Sequence, residues 1–224
     1  MRNDFESNYL MHHGVQGQKW GIRNGPPYPL HSEKLASKIY AQAKKKEPKI
    51  TKDITEAAAM AGSKMYGLEH KLKTKASIRR KIDTDSEEKR ISPFESAMDI
   101  KDAVRYTTIS SDKTFVSGYN KVKENLESKG YKEVRCKNYY DLYRQGKVKH
   151  KSVQSVFEDP DGYKFEVQFH TPSSQLAKDK KVPIYEERRK PGLSRERQIE
   201  LEKQMEDLAK TVSEPKDVYK IKTH

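Results

Sequence analysis

The stretch Phe165-Glu166-Val167-Gln168-Phe169-His170-Thr171 sets a carboxylate, an amide and an imidazole at alternate positions. Period-two alternation marks a strand with unlike faces, so Phe165, Val167 and Phe169 point one way and Glu166, Gln168 and His170 the other. A polar face of that kind suits the floor of a site for a charged ligand. A second group is the basic run His70-Lys71-Leu72-Lys73-Thr74-Lys75-Ala76-Ser77-Ile78-Arg79-Arg80-Lys81, in which Ser77 is placed to cap a helix. A helix N-terminus with cationic neighbours is a natural phosphate site. A third is Asp99-Ile100-Lys101-Asp102-Ala103-Val104-Arg105-Tyr106, with an acid and a base at the mouth of a strand. Asp102 and Glu166, from two strands, could hold Mg²⁺, which takes hard carboxylate oxygens plus substrate phosphates. The competing reading is that both carboxylates pair with nearby Lys and Arg.

The elements that must position these residues follow from periodicity and turn signals. Ser32 can cap a helix beginning Glu33-Lys34-Leu35, Pro48 interrupts it, and Thr51-Lys52-Asp53-Ile54 opens a second. Ile54, Ala57, Ala58, Ala61, Met65 and Leu68 form an apolar stripe suited to packing against a sheet. Thr84 to Arg90 reads as a charged loop or frayed end, and a short helix enters at Ser92. Strands are expected at 103–109, 131–137, 152–157 and 163–171, with an amphipathic helix from Thr114 to Lys129 ended by Gly130. Asp159-Pro160-Asp161-Gly162 is a tight turn, so the last two strands form an antiparallel hairpin. Tyr185 to Lys190 and Arg195 to Leu208 read as helical, and the chain after Val212 as polar and loose. The expected fold is α+β: a mixed, partly antiparallel β-sheet flanked by helices, preceded by a helical N-terminal region.

Composition narrows the function classes. Among 224 residues, charged residues (35%) exceed hydrophobic ones (33%), so the core must be concentrated in part of the chain. A net charge of +13 favours polyanionic partners such as nucleotides, RNA, DNA or an acidic surface, although surplus surface Lys alone would give the same balance. The single cysteine, Cys136, excludes an internal disulfide and a cysteine metal cluster, and fits a reducing compartment. No apolar run approaches a membrane span, and the first residues lack a signal-peptide core. Residues 12–30 hold four glycines, three prolines and the only Trp, which opposes helix and strand. His12 and His13 would diverge in an extended chain, so they read as tail rather than metal site.

The order of the three groups resembles the RelA/SpoT-like nucleotidyltransferase fold, the synthetase domain of alarmone enzymes. Lys71, Lys73, Ser77, Ile78 and Lys81 match the spacing of that family's basic ATP-gripping motif, with Lys71 in place of an Arg. Glu166, Gln168 and Thr171 match its second-carboxylate strand, with His170 replacing an Arg. The family's metal Asp lies five residues before the motif Arg, where this chain has Ile100; Asp102, three before Arg105, stands in on the same expected strand face. In Lys149-His150-Lys151-Ser152-Val153-Gln154, His150 takes the position of a guanine-stacking Tyr. The resemblance covers roughly residues 65–190 and implies ATP-dependent pyrophosphate transfer to a nucleotide or to the 3′ end of tRNA. It implies Asp102 and Glu166 as Mg²⁺ ligands and catalytic residues. It implies Lys71, Lys73, Ser77, Arg80, Lys81 and Arg105 at the triphosphate, and His150, Lys151, Gln168 and His170 at the acceptor. Separately, residues 13–23, with the core Gln18-Lys19-Trp20-Gly21, resemble a short element of tailed-phage and prophage virion-associated proteins. That implies a phage context, with particle proteins as partners and the host cytoplasm or the virion as location. The expected organisation is a Gly/Pro-rich segment at 1–32, a helical region at 33–64, the catalytic domain at 65–212 and a polar tail at 213–224. The alternatives are a non-catalytic virion protein binding nucleic acid through a basic face, and a nuclease. Candidate ligands for a nuclease metal centre beyond Asp102 and Glu166 are scattered.

Overall fold

The computed structural model describes residues 29–189 and 192–224. The Gly/Pro-rich segment, including His12, His13 and Trp20, lies outside them except for its last residues. The described chain forms a five-stranded mixed sheet with helices on both faces, so the α+β expectation holds. Its elements are α1 (Pro29–Met60), β1 (Lys64–Tyr66), α2 (Lys75–Lys89), α3 (Pro93–Met98), β2 (Arg105–Ile109), α4 (Phe115–Ser128), β3 (Lys132–Asn138), α5 (Tyr139–Arg144), β4 (Val153–Glu158), β5 (Lys164–His170), α6 (Pro172–Arg188) and α7 (Arg195–Lys210).

The strand order is β1-β2-β5-β4-β3, with only the β2–β5 pair parallel. β5 is therefore central, and both of its faces are buried. Its apolar face carries Phe165, whose ring meets Tyr106, Tyr131 and Phe157 at centroid distances of 6.1, 5.6 and 5.9 Å. α4 adds Phe115, Tyr119, Val122 and Leu126 to the same core, with the Tyr119 ring 5.0 Å from Phe169. The expected β4–β5 hairpin is present, turning through Gly162 at φ 86°, a left-handed value that suits glycine. Asp159 Oδ1 accepts from the amides of Asp161 and Tyr163 in that turn.

Five expectations about elements are corrected. Ser32 does not cap a helix: α1 already begins at Pro29, and Ser32 Oγ makes no hydrogen bond among the described residues. Pro48 does not end a helix: α1 runs through it, because buried Ile39 and Ala43 before it and Ile50 and Ile54 after it hold one face on the core. The helix under the apolar stripe ends at Met60, since Gly62 turns the chain at φ 68° and Met65 falls on β1. The charged run from Thr84 is helix to Lys89, anchored by buried Ile78, Ile82 and Ser86. The chain after Val212 is docked rather than loose. Val218 and Ile221 are buried, Asn138 Nδ2 donates to both of their carbonyls, and Cys136 and His224 exchange backbone hydrogen bonds of 3.0 Å along the β3 edge.

Candidate functional site

The polar face of the sheet is built by register. Arg105 on β2 pairs with Glu166 on β5, which pairs with Val156 on β4, which pairs with Arg135 on β3. One step along, Thr107, Gln168, Gln154 and Lys137 make the next row. Glu166 thus stands between Arg105 on one strand and Gln168 two residues along its own, and its Oε1 accepts from Gln168 Nε2 at 2.6 Å. Arg135 Nε is buried and makes no hydrogen bond with the described protein.

On the Arg105 side lies a groove of about 1280 Å³. Lys73, Thr74, Ser77, Arg80, Lys81 and Arg105 line it, opposite Tyr185, Arg188 and Arg189 from the end of α6; Glu69, Asp85, Glu88 and Glu186 also border it. The N-terminus of α2 opens here. Its cap is Thr74 rather than Ser77: Thr74 Oγ1 accepts from the Ser77 amide at 3.2 Å, so Ser77 stands in the first turn. Lys71 falls outside the groove. It ends a 3₁₀ turn with helical backbone (φ −64°), so strand alternation does not carry it to Lys73's side, and its Nζ lies 3.0 Å from Glu47 Oε1 on α1.

Asp102 is not on a strand; it precedes β2, held by the backbone bond from the Lys73 amide to the Ala103 carbonyl. Its two oxygens receive Lys73 Nζ at 2.6 Å and Lys81 Nζ at 2.9 Å. Burial would raise its carboxyl, but the two ammonium groups hold it at about 2. Lys73 is pushed down by burial, with Asp102 opposing. As a ligand for Mg²⁺ this carboxylate does not fit, because both oxygens are committed to lysines. Glu166 keeps one oxygen clear of Gln168 and fits as the single protein carboxylate of a site completed by phosphates. Among the described residues no three His, Cys, Asp or Glu side chains gather as a metal centre.

On the Gln168 side, α6 and α7 close over the sheet and leave a cavity of about 140 Å³. His150, Lys151, Gln168 and His170 line it together with Lys178 and Lys181. Gln168 Oε1 accepts from Lys178 Nζ at 2.6 Å, and His170 Nδ1 is 2.9 Å from Ser174 Oγ. Burial, then Lys181, lowers His150 to about 4, and burial holds His170 well below its ordinary range, so both imidazoles are neutral. Burial, then Arg105, lowers Lys178 to about 8. Lys151 is committed to the terminal segment, donating to the Val212 carbonyl and lying 3.1 Å from Glu214. His150 stacks on Tyr139, with ring centroids 4.2 Å apart.

Nothing in the local sequence marks Lys178 and Lys181, and the helical pattern of α6 is plain only from Tyr185. The signal for its start was Thr171-Pro172, a cap followed by proline in the first turn, with Ser174 completing a reciprocal cap.

No family profile matches the chain, and no curated protein matches it by sequence. Solved structures do. A GTP pyrophosphokinase family protein from Streptococcus pneumoniae is 12% identical with a TM-score of 0.50, over 81% of this chain and 89% of that one. Small alarmone synthetase 2 from Bacillus subtilis is 17% identical with a TM-score of 0.50, over 76% and 90%. A chain from the complex of the type VI effector Tas1 with its immunity protein is 19% identical with a TM-score of 0.48, over 84% and 99%. The first two likenesses establish a shared fold.

Proposed function

We propose that the chain transfers pyrophosphate from ATP to a hydroxyl of a second nucleotide or of a tRNA 3′ end. The observation that carries this reading is the setting of Glu166: its strand partner Arg105 lines a cationic groove at a helix N-terminus, and its hydrogen-bond partner Gln168 lines a polar cavity. In the transfer, the acceptor oxygen bonds to the β-phosphorus, the bond from that phosphorus to the α-phosphate oxygen breaks, and AMP leaves. Lys73, Lys81, Arg80 and Arg105 hold the triphosphate, aided by the unpaired amides of the first turn of α2. Asp102 keeps the two lysine ammonium groups side by side and aimed. Glu166 takes the proton from the acceptor hydroxyl. His150, Gln168 and His170 face the acceptor. Mg²⁺ arriving with ATP would offset phosphate charge, with Glu166 as its protein ligand. The fold shared with a GTP pyrophosphokinase family protein supports the reaction class; a toxin or effector role in a phage setting, in the host cytoplasm or on the virion, belongs to the same proposal.

A second reading, nucleic-acid binding without catalysis, is favoured by Asp102, whose oxygens are both engaged by lysines. The test is incubation of the full chain with γ-labelled ATP, Mg²⁺ and either nucleotides or bulk tRNA. Label on the acceptor with AMP release is expected, and Glu166→Gln should slow transfer by about 10²–10⁴-fold with an unchanged circular dichroism spectrum. Retention of RNA with no transfer would replace this reading with the second, and shortened RNA would point to a nuclease.

A further inference from the structure

The cavity beneath α6 and α7 carries more ammonium groups than ion-paired carboxylates, although Asp179 and Glu166 act on Lys178 at longer range. Among the lysines that line it, Lys149 is within 4.0 Å of Glu202 and Glu206, and Lys151 of Glu214. Lys178 and Lys181, three residues apart on α6, have no carboxylate within ion-pair distance among the described residues. They donate instead to the Gln168 side chain and the Lys149 carbonyl. The opposite wall is apolar, formed by Met205, Leu208 and Ala209 of α7. Two residues that line this cavity, His170 and Ser152, each carry a buried polar atom without a partner, Nε2 and Oγ, just behind its wall. Ammonium groups beside a low-dielectric wall are costly unless an anion offsets them, and neutral imidazole and hydroxyl groups can add N–H and O–H donors.

Size decides what kind of anion. About 140 Å³ is well under the roughly 300–1,000 Å³ of pockets that enclose drug-sized ligands, too little to enclose a whole nucleoside. One face of the His150 ring is already covered by Tyr139, which also argues against a stacked base there. We infer that this cavity is a phosphoryl-group pocket, in which Lys178 and Lys181 supply charge and His170 and Ser152 supply directional hydrogen bonds. The group is either free phosphate or the phosphate of a nucleotide. In naming the acceptor's chemistry the inference rests on the transfer reading, whereas the pocket itself is read by binding alone, so the two can fail separately.

Met205 gives a reporter inside the cavity, and exposed Met60 and Met98 give controls outside it. The full chain, labelled with ¹³C at methionine methyls and assigned with Met205→Leu, is titrated with inorganic phosphate at constant ionic strength. The Met205 methyl is expected to shift saturably while Met60 and Met98 stay put. Lys178→Gln with Lys181→Gln should weaken binding about tenfold or more, the loss of at least one charge-assisted hydrogen bond. Lys181→Gln alone serves if the double variant does not fold. Phosphate held only in the α2 groove would leave Met205 unmoved, and that result overturns the inference. So does a shift that is the same in the lysine variants. AMP and GMP form a second arm: if either saturates Met205 as phosphate does, the pocket takes a nucleotide's phosphate, and if only inorganic phosphate does, it takes the free ion.

Discussion

Asp102, expected as a metal ligand, is found paired with two lysines. The sequence puts an acid near Arg105, and the structure puts it near two lysines, with neither oxygen free. On the transfer reading, it keeps Lys73 and Lys81 from repelling each other before a triphosphate arrives. Asp102→Asn should therefore lower stability by about 1–3 kcal/mol, the cost of leaving partly buried charge unpaired, and ATP should restore part of it. Thermal melts with and without ATP measure this; a melt unchanged by the substitution would remove the clamp from the argument. Glu166 was legible because strand alternation is local and strict. Lys71 and Lys73 look equivalent in sequence, and only the helical backbone at Lys71 separates them. Lys178 and Lys181 carried no local mark, because their meaning depends on which helix closes over the polar face.

At the level of elements, patterns with a strong apolar period were readable, and those held by context were not. The β4–β5 hairpin follows from alternation around Asp159-Pro160-Asp161-Gly162, and α4 from its buried stripe. α1 breaks the local rule at Pro48, whose missing amide removes an intrahelical bond. The helix persists because contacts on either side pin it: Tyr106 bonds Thr51 at 2.8 Å and the Glu47 carbonyl at 3.3 Å, and Lys46 grips Asp159 at 2.7 Å. Pro48→Ala should then stabilise the fold, by up to about 3 kcal/mol, since alanine restores the amide without disturbing those anchors. A lower urea midpoint in the variant would show that a kink at Pro48 is needed for packing. α6 was half missed because its early turns, Pro172-Ser173-Ser174, are polar and its buried residues are few.

For the whole molecule, one buried aspartate, Asp53, and one half-buried aspartate, Asp102, contribute to the loss of stability in acid. Asp53 joins α1 to the rest of the fold through Lys129 and Tyr131, with Lys49 of α1 itself as a third partner, and Asp102 ties the approach to β2 to α2. Both titrate at about 2 when folded against an ordinary 3.8: burial acts to raise them, and their hydrogen-bonded and charged partners prevail. Depressed carboxyls contribute stability that is fully present above the unfolded value and lost as pH falls through the folded one. The window is thus about pH 4 to 2, worth roughly 2 kcal/mol for each group. Urea unfolding at pH 5, 3 and 2 should show the fall, and Asp53→Asn should flatten it; equal stability at pH 5 and 2 would contradict the assignment. The parallel β2–β5 pairing has a consequence for the order of assembly. The β4–β5 hairpin can form from neighbouring residues, but Arg105 reaches Glu166 only after α4, β3, α5 and β4 have been made and folded back. Such long-range pairings close late. On the transfer reading, a chain growing from its N-terminus carries the basic residues of α2 long before it carries Glu166, so a half-made copy on the ribosome has no carboxylate with which to act.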